Sequence, residues 1–502
     1  MLFSRGAHER PTIAESPCGS AMLPVAAGAF VVAVAWLNPF SPGPSFAAVS
    51  CLLGIICTGV LGLWMRHIDA AAVARSGLLL AALISSVMAL LQYTGVAGPL
   101  APWVNAVSGA GEAVANLRQP NQLATLTSIG LVTVIFGGWK RGGRAVKTLS
   151  VVAVVVLAFA AAASASRTGL VQWILIPALW WTWRERHASW NWRDGLVLSG
   201  PGFYILAAIA LPWATDASRD LVGRLSDNNL DCSSRLVLWS NVVHLISLKP
   251  WTGWGWGELD YAHFVTLYPR TRFCAILDNA HNLPLHLAVE LGIPFAAFVV
   301  ATGSWLVWRA RPWRETDRSR QLAWSVLAVI LIHSMVEYPL WYGPFQMTVV
   351  LCLIVLARPE HLVRPRAVIF AIRFAAATSI VVTAWVAWEY WCSSQIYLPP
   401  HERMATWRAD PLTEARRLRF FRGQTDFAKL TLNQPTAESA LEIYALAETT
   451  LHYSPEPKVI EALVQSALML QREEDAFQWL IRYHAAFPVE SATFLASGAR
   501  QR

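Results

Sequence analysis

Arg235 to Glu290 reads RLVLWSNVVHLISLKPWTGWGWGELDYAHFVTLYPRTRFCAILDNAHNLPLHLAVE, and its contrast with the rest of the chain decides the fold class. On either side the sequence runs through apolar segments of the length that a hydrocarbon-spanning helix requires, about 20 residues each. This stretch instead collects Arg235, His244, Lys249, Arg270, Arg272, Asp278, His281 and His286. Ionisable groups set beside membrane-spanning helices are costly to keep there, so they mark where chemistry is expected.

Working outward, the 502 residues are 55% hydrophobic and only 14% charged, which excludes an ordinary soluble domain. The formal charge of +8 would suggest nucleic acid in a soluble protein. Here Lys and Arg fall in short clusters between apolar runs, the pattern of cytoplasmic loops, so no nucleic-acid partner is expected. Many of the 25 Trp sit near segment ends, where they form an interfacial belt. A Trp in that position also suits stacking on a sugar or lining a lipid groove. The seven cysteines show no metal-ligand spacing. Cys51, Cys57 and Cys352 lie in apolar runs and read as small hydrophobes.

The chain reads as an all-α polytopic membrane protein with about eleven transmembrane helices. They are expected near 21–37, 46–64, 76–93, 123–139, 149–163, 170–183, 196–213, 283–308, 322–336, 345–356 and 367–391. Residues 1–20 form a cytoplasmic tail, 21–213 helices one to seven, 214–282 a large external loop, and 283–391 helices eight to eleven. Ala33-Val34-Ala35 also has the form of a cleavage site, but the first helix is read as retained. With this order every short basic connection, KRGGRAVK being the clearest, falls on one face. Residues 392–502 change to a soluble helical pattern on the external side. There Pro455 and Pro488 lie 33 positions apart (488 − 455), near the tetratricopeptide period, so a small helical, TPR-like domain is expected, with docking of a partner as its use. Cys232 and Cys274 share the external loop, where they are either joined or two free thiols.

Four external patches carry polar residues: Arg118-Gln119-Pro120-Asn121-Gln122, Ser166-Arg167-Thr168-Gly169, the large loop, and His333 to Pro339 with Glu337 inside it. Their shared side and depth suggest one site for an anionic, lipid-linked substrate. Guanidinium forks suit phosphate oxygens, and Arg118, Arg167 and Arg235 each stand at an external helix end. The alternative for any one of them is a snorkelling anchor. His281 precedes Asn282, a helix cap, and its imidazole suits removal of a proton from an acceptor hydroxyl. A structural histidine bonded to a loop carbonyl is the alternative. His286 and Glu290, and likewise His333 and Glu337, are spaced i, i+4. The first two read as a pair within the bundle, with a direct catalytic role as the alternative, and the second two as a buried ion pair or as support for the site. Asp278 and His281 alone make no metal centre, so no metal and no cofactor are expected. Gly253, Gly255 and Gly257 do not open a helix after a strand, so they read as turn formers.

At these patches the chain resembles a known family. RQPNQLATL (118–126), SASRTGL (164–170), SRLVLWSNVVHLISLKPWTGWGWGE (234–258), DNAHNLPLHLAVELGIP (278–294) and HSMVEYPLWY (333–342) are similar to segments of the bacterial protein O-oligosaccharyltransferases of the pilin-glycosylating type. These form a branch of the O-antigen ligase and polymerase superfamily, and the segment after YLPPHER resembles their C-terminal extension. The resemblance implies an enzyme of the bacterial inner membrane with its site facing the periplasm. It would move an oligosaccharide from undecaprenyl pyrophosphate to a Ser or Thr hydroxyl of pilin or another exported protein. Arg167 and Arg235 would stabilise the pyrophosphate leaving group and His281 would act as general base. Arg118, Gln119, Asn121, Gln122, Asn282, His333 and Glu337 are expected at the substrate. Transfer to lipid A core or to a glycan repeat is the alternative within the superfamily. A transporter of lipid-linked sugar is the alternative outside it, without clear inverted repeats to support it.

Overall fold

A computed structural model of the chain describes residues 18–214 and 232–500, apart from 42, 44, 65–68, 108, 138–142, 185–188 and 358–365. The N-terminal tail, the centres of several basic connections and the first part of the large loop lie outside the described residues, as do the expectations placed on them. Among the described residues all regular structure is helical. The first group is α1 (Cys18–Leu37), α2 (Phe46–Trp64), α3 (Ala70–Tyr93), α4 (Pro120–Phe136), α5 (Arg144–Ala163), α6 (Arg167–Trp183) and α7 (Trp192–Ala214). The loop contributes α8 (Arg235–Leu248), α9 (Leu259–Val265) and α10 (Leu283–Leu291). Then come α11 (Ile293–Ala310), α12 (Arg318–Ser334), α13 (Gly343–Ala357) and α14 (Arg366–Ser394).

Among the described residues six segments are long and apolar enough to cross a membrane: Ala47–Trp64, Ala70–Tyr93, Arg144–Ala163, Trp192–Trp213, Ile293–Arg314 and Arg366–Tyr397. Phe295, Phe298, Trp305 and Trp308 on α11, with Phe370, Phe374 and Val381 on α14, are large, apolar and exposed. Such surfaces belong in hydrocarbon. The chain is therefore a multi-pass helical membrane protein.

At the centre stands α4, buried at every position from Gln122 to Phe136 and packed by α3, α5, α6 and α12. A helix apolar on all sides is stable only in such a place. Its Thr127, Ser128 and Thr133 hydroxyls donate back to the Ala124 and Gly130 carbonyls, so these three are paired within the helix.

The stretch 283–308, expected as one helix, is two. Gly292 breaks it at φ 85, and a Cβ there would stand 2.2 Å from the Trp251 carbonyl oxygen. Only glycine fits that backbone and that gap, and Pro294 suits the first turn of the helix that restarts. As a result α10 packs with α8, in a core of Leu238, Val242, Leu245, Leu287 and Val289 that belongs to the loop. Cys232 and Cys274 are bonded, with Cα atoms 5.4 Å apart, and close the chain around α8 and α9.

After the bundle follow α15 (Pro411–Ala415), α16 (Arg422–Leu432), α17 (Ala440–Leu451), α18 (Pro457–Met469), α19 (Glu473–Ala486) and α20 (Pro488–Arg500). From α16 onward each helix packs on the next, as short connections demand. The core of this unit, which includes Leu451, Val459, Leu463 and Tyr483, also takes in Phe264 of α9. The Arg482 guanidinium donates to the Val265 carbonyl at 3.1 Å, and His452 meets Glu258 at 2.6 Å. The C-terminal helices thus brace the loop that carries His281.

Candidate active site

Local capping brings the expected site residues to one end of the bundle. Gln119 caps α4 by accepting the Gln122 amide at 2.6 Å, which sets Asn121 on the first turn. Ser166 caps α6 through the Gly169 amide and makes Arg167 its first residue. Ser234 does the same for α8 and Arg235. Asn282 caps α10 through the Leu285 amide, and its Nδ2 donates to the Met335 carbonyl at 3.0 Å. The loop is thereby stitched to the segment after α12.

These four helix ends meet at the carboxylate of Glu337. Its Oε1 accepts from Asn121 Nδ2 at 2.9 Å and from Arg235 Nη2. Its Oε2 faces His281 Nδ1 at 2.8 Å. Asn121 in turn accepts from the Ser166 hydroxyl at 2.6 Å. His281 sits in the left-handed region, at φ 49, where its backbone N–H is held by Asn279 Oδ1 at 2.9 Å. A non-glycine residue holds that conformation only when its surroundings impose it.

The electrostatics follow from this arrangement. Burial and the neighbouring Arg167 guanidinium lower the Arg235 pKa, although arginine remains charged. One guanidinium, that of Arg235, meets the carboxylate, and a second, that of Arg167, acts on Arg235 and is open to solvent, so the exposed side of the cluster is cationic. Arg235 Nε is buried with no protein partner. A fork with an unused donor beside an open cation suits a phosphate. Burial, reinforced by Arg235, pushes His281 down to about 4, so the ring is neutral near pH 7. With Nδ1–H donating to Glu337, the lone pair lies on Nε2 and is available to a hydroxyl.

The remaining expected residues take other places. Asn282 spends both ends of its amide on the cap and on Met335. Arg118 adopts φ 59 just before the Gln119 cap, and its guanidinium donates to the Pro39 carbonyl at 3.0 Å. His333 does not pair with Glu337. Its Nδ1 meets the Thr125 hydroxyl at 2.9 Å, because Glu337 is already engaged by Arg235, His281 and Asn121. Gln119, Gln122, His333, Glu337, Tyr338 and Tyr342 nevertheless line one small cleft. His286 and Glu290 approach to 3.4 Å in a buried site. There burial pushes the carboxyl up to about 7 and the imidazole down to about 4, so neither needs to carry charge. Among the described residues no group of three or more His, Cys, Asp or Glu is placed to hold a metal ion.

Three participants were not singled out from sequence. Ser166 was visible only as part of a patch, although a serine just before a helical run is a cap signal. Asn279 and Thr125 act by holding His281 and His333, and no spacing rule points to such contacts.

Comparison with known proteins places these segments. Residues 152–300, which contain Arg167, Arg235 and His281, match the O-antigen ligase family. Residues 113–136, which contain Arg118 to Gln122, match the protein glycosylation ligase family. Residues 321–501, with His333 and Glu337, match the C-terminal region of virulence factor membrane-bound polymerases. A general O-oligosaccharyltransferase of Acinetobacter baylyi (strain ATCC 33305 / BD413 / ADP1) is 26% identical over 283 residues, 53% of this chain and 47% of that protein. The chain thus spans about half the length of this curated relative. By these matches the chain is similar to the O-antigen ligases and, within that superfamily, to the protein O-oligosaccharyltransferases.

Proposed function

We propose that this protein is a metal-independent glycosyltransferase that moves an oligosaccharide from undecaprenyl pyrophosphate to a Ser or Thr hydroxyl of exported proteins such as pilin. The observation that carries this reading is the Glu337 carboxylate, which joins a cation, a neutral imidazole and an amide from separate helix ends. In the proposed step His281 Nε2 takes the hydroxyl proton as the hydroxyl oxygen attacks the anomeric carbon. The bond from that carbon to the pyrophosphate oxygen breaks, with inversion. Undecaprenyl pyrophosphate leaves as an anion held by Arg167 and Arg235, while Glu337 balances the imidazolium. Guanidinium groups supply the charge that a metal would otherwise provide.

In this reading about eleven segments cross the bacterial inner membrane, and the site, the loop and the TPR-like C-terminal helices face the periplasm. The loop disulfide and the basic connections opposite support that orientation. The matches to O-antigen ligases and to membrane-bound polymerases favour a second reading, in which the same step serves lipid A core or a glycan repeat. Intact-mass analysis of pilin and other exported proteins from cells with and without the gene, beside a lipopolysaccharide gel, separates the two. A protein that loses a glycan mass while the ladder is unchanged supports protein transfer. Collapse of the ladder to bare core supports the second reading.

A further inference from the structure

The TGWGWGE turn, Thr252 to Glu258, has no role in the step above, yet it is rigidly placed. Trp254 and Gly255 donate their amides to the Val289 and Glu290 carbonyls, both at 2.9 Å, and the Trp254 indole donates to the Leu245 carbonyl at 3.0 Å. At its crest Trp256 is 62% exposed, an expensive position for an indole unless its free face is used. Its ring lies nearly parallel to Trp341, with centroids 6.1 Å apart and planes 13° apart. His286 stands edge-on to both.

This aromatic pair is continuous with the candidate active site. Trp341 follows four residues after Glu337, and Trp341, His286, Asn279 and Glu337 line one narrow crevice. Asn279 is only 3% exposed, and its Oδ1 holds His281. Its Nδ2 is buried without a protein partner in that crevice. A buried amide donor left open calls for an acceptor from outside the protein.

The site therefore has an order: the guanidiniums of Arg167 and Arg235, then His281 and Glu337, then an unpaired amide, then an open aromatic face. A lipid-linked saccharide has the same order of phosphate, first sugar and further sugars. Pyranose rings offer an apolar C–H face to aromatic rings and hydroxyl oxygens to amide donors. We infer that Trp256, Trp341 and the Asn279 amide form a subsite for a donor sugar beyond the one bonded to phosphate. This rests on the transfer reading above. An interfacial anchor would require neither a second ring held parallel nor an unpaired amide in the adjoining crevice.

The test uses the full chain in lipid nanodiscs and two donors on the same lipid pyrophosphate, carrying one sugar or three. For Trp256→Ala the ratio of kcat/KM, trisaccharide over monosaccharide, is expected to fall about tenfold, chiefly through KM. Trp256→Phe, which keeps a ring, should retain most of the ratio. An unchanged ratio in Trp256→Ala overturns the inference, whether both donors are lost equally or neither is. A rise in acceptor KM with the donor ratio intact overturns it as well, by giving the surface to the acceptor. If the wild type transfers neither donor, the transfer reading fails alone. The subsite is then judged by saturation-transfer NMR of the free trisaccharide, whose signal Trp256→Ala must abolish.

Discussion

Glu337→Gln tests how the site is wired, because it keeps the volume and removes one property. The carboxylate accepts from Arg235, Asn121 and His281. A glutamine has one acceptor oxygen and one NH2 donor, so it cannot serve all three. With its oxygen kept toward Arg235 and Asn121, its NH2 faces His281 and forces the lone pair onto Nδ1, leaving Nε2 protonated and useless as a base. Turned the other way, it sets donor against donor. The electrostatic part is calculable. With N and O 2.8 Å apart, the charge centres of an imidazolium and carboxylate lie about 4 Å apart. At an effective dielectric constant of about 20 they attract by about 4 kcal/mol, or about 1,000-fold in rate. The wrong tautomer of a carboxylate–histidine pair costs about 10,000-fold in a serine protease. We therefore expect kcat to fall between about 1,000- and 10,000-fold, with smaller changes in KM. The assay is initial-rate glycan transfer by purified enzyme at saturating donor and acceptor, with thermal unfolding to confirm an intact fold. A folded Glu337→Gln enzyme within tenfold of wild-type kcat would refute the reasoning.

Arg167→Lys and Arg235→Lys are each expected to lower kcat/KM for the donor by at least about tenfold, since a point charge cannot reproduce forked contacts; near-normal kinetics would make them membrane anchors. Cys232→Ser opens a loop of 42 residues' separation, and chain entropy places the loss of stability near 4 kcal/mol. A lowered unfolding midpoint is expected, and non-reduced peptide mass spectrometry of the wild type should recover the Cys232–Cys274 link. The base works deprotonated and its folded pKa lies near 4, below the ordinary value of 6.5, so kcat/KM should stay level from pH 7 to about 5.5 and fall as pH drops through about 4. A break near 6.5 would contradict the burial of His281 against Arg235.

Apolar runs and caps made much of the fold legible. The stretches read as spans up to residue 213 fall on helices, α1 to α7, and of these α2, α3, α5 and α7 are long and apolar enough to cross a membrane. The break at Gly292 was missed even though Gly-Ile-Pro was in view, since continuous hydrophobicity masked a boundary set by the approach of Trp251. Four polar patches converged on one end of the bundle, and of the two readings of His333 and Glu337 the ion pair is not formed, His333 meeting Thr125 instead. Positions i and i+4 share a face only while the helix continues, and α12 ends at Ser334. Glu337 lies in the turn beyond and points to Arg235 and His281, which sequence distance alone cannot reveal.

The most direct measurement is transfer of a labelled glycan from its lipid pyrophosphate to an acceptor protein by purified wild-type enzyme and His281→Ala, each with intact disulfide and equal unfolding midpoint. The account predicts rapid transfer by the wild type and loss of at least about 1,000-fold in kcat for the variant, with donor binding retained. Transfer by His281→Ala at a rate near wild type would remove the imidazole from the chemistry and contradict the account.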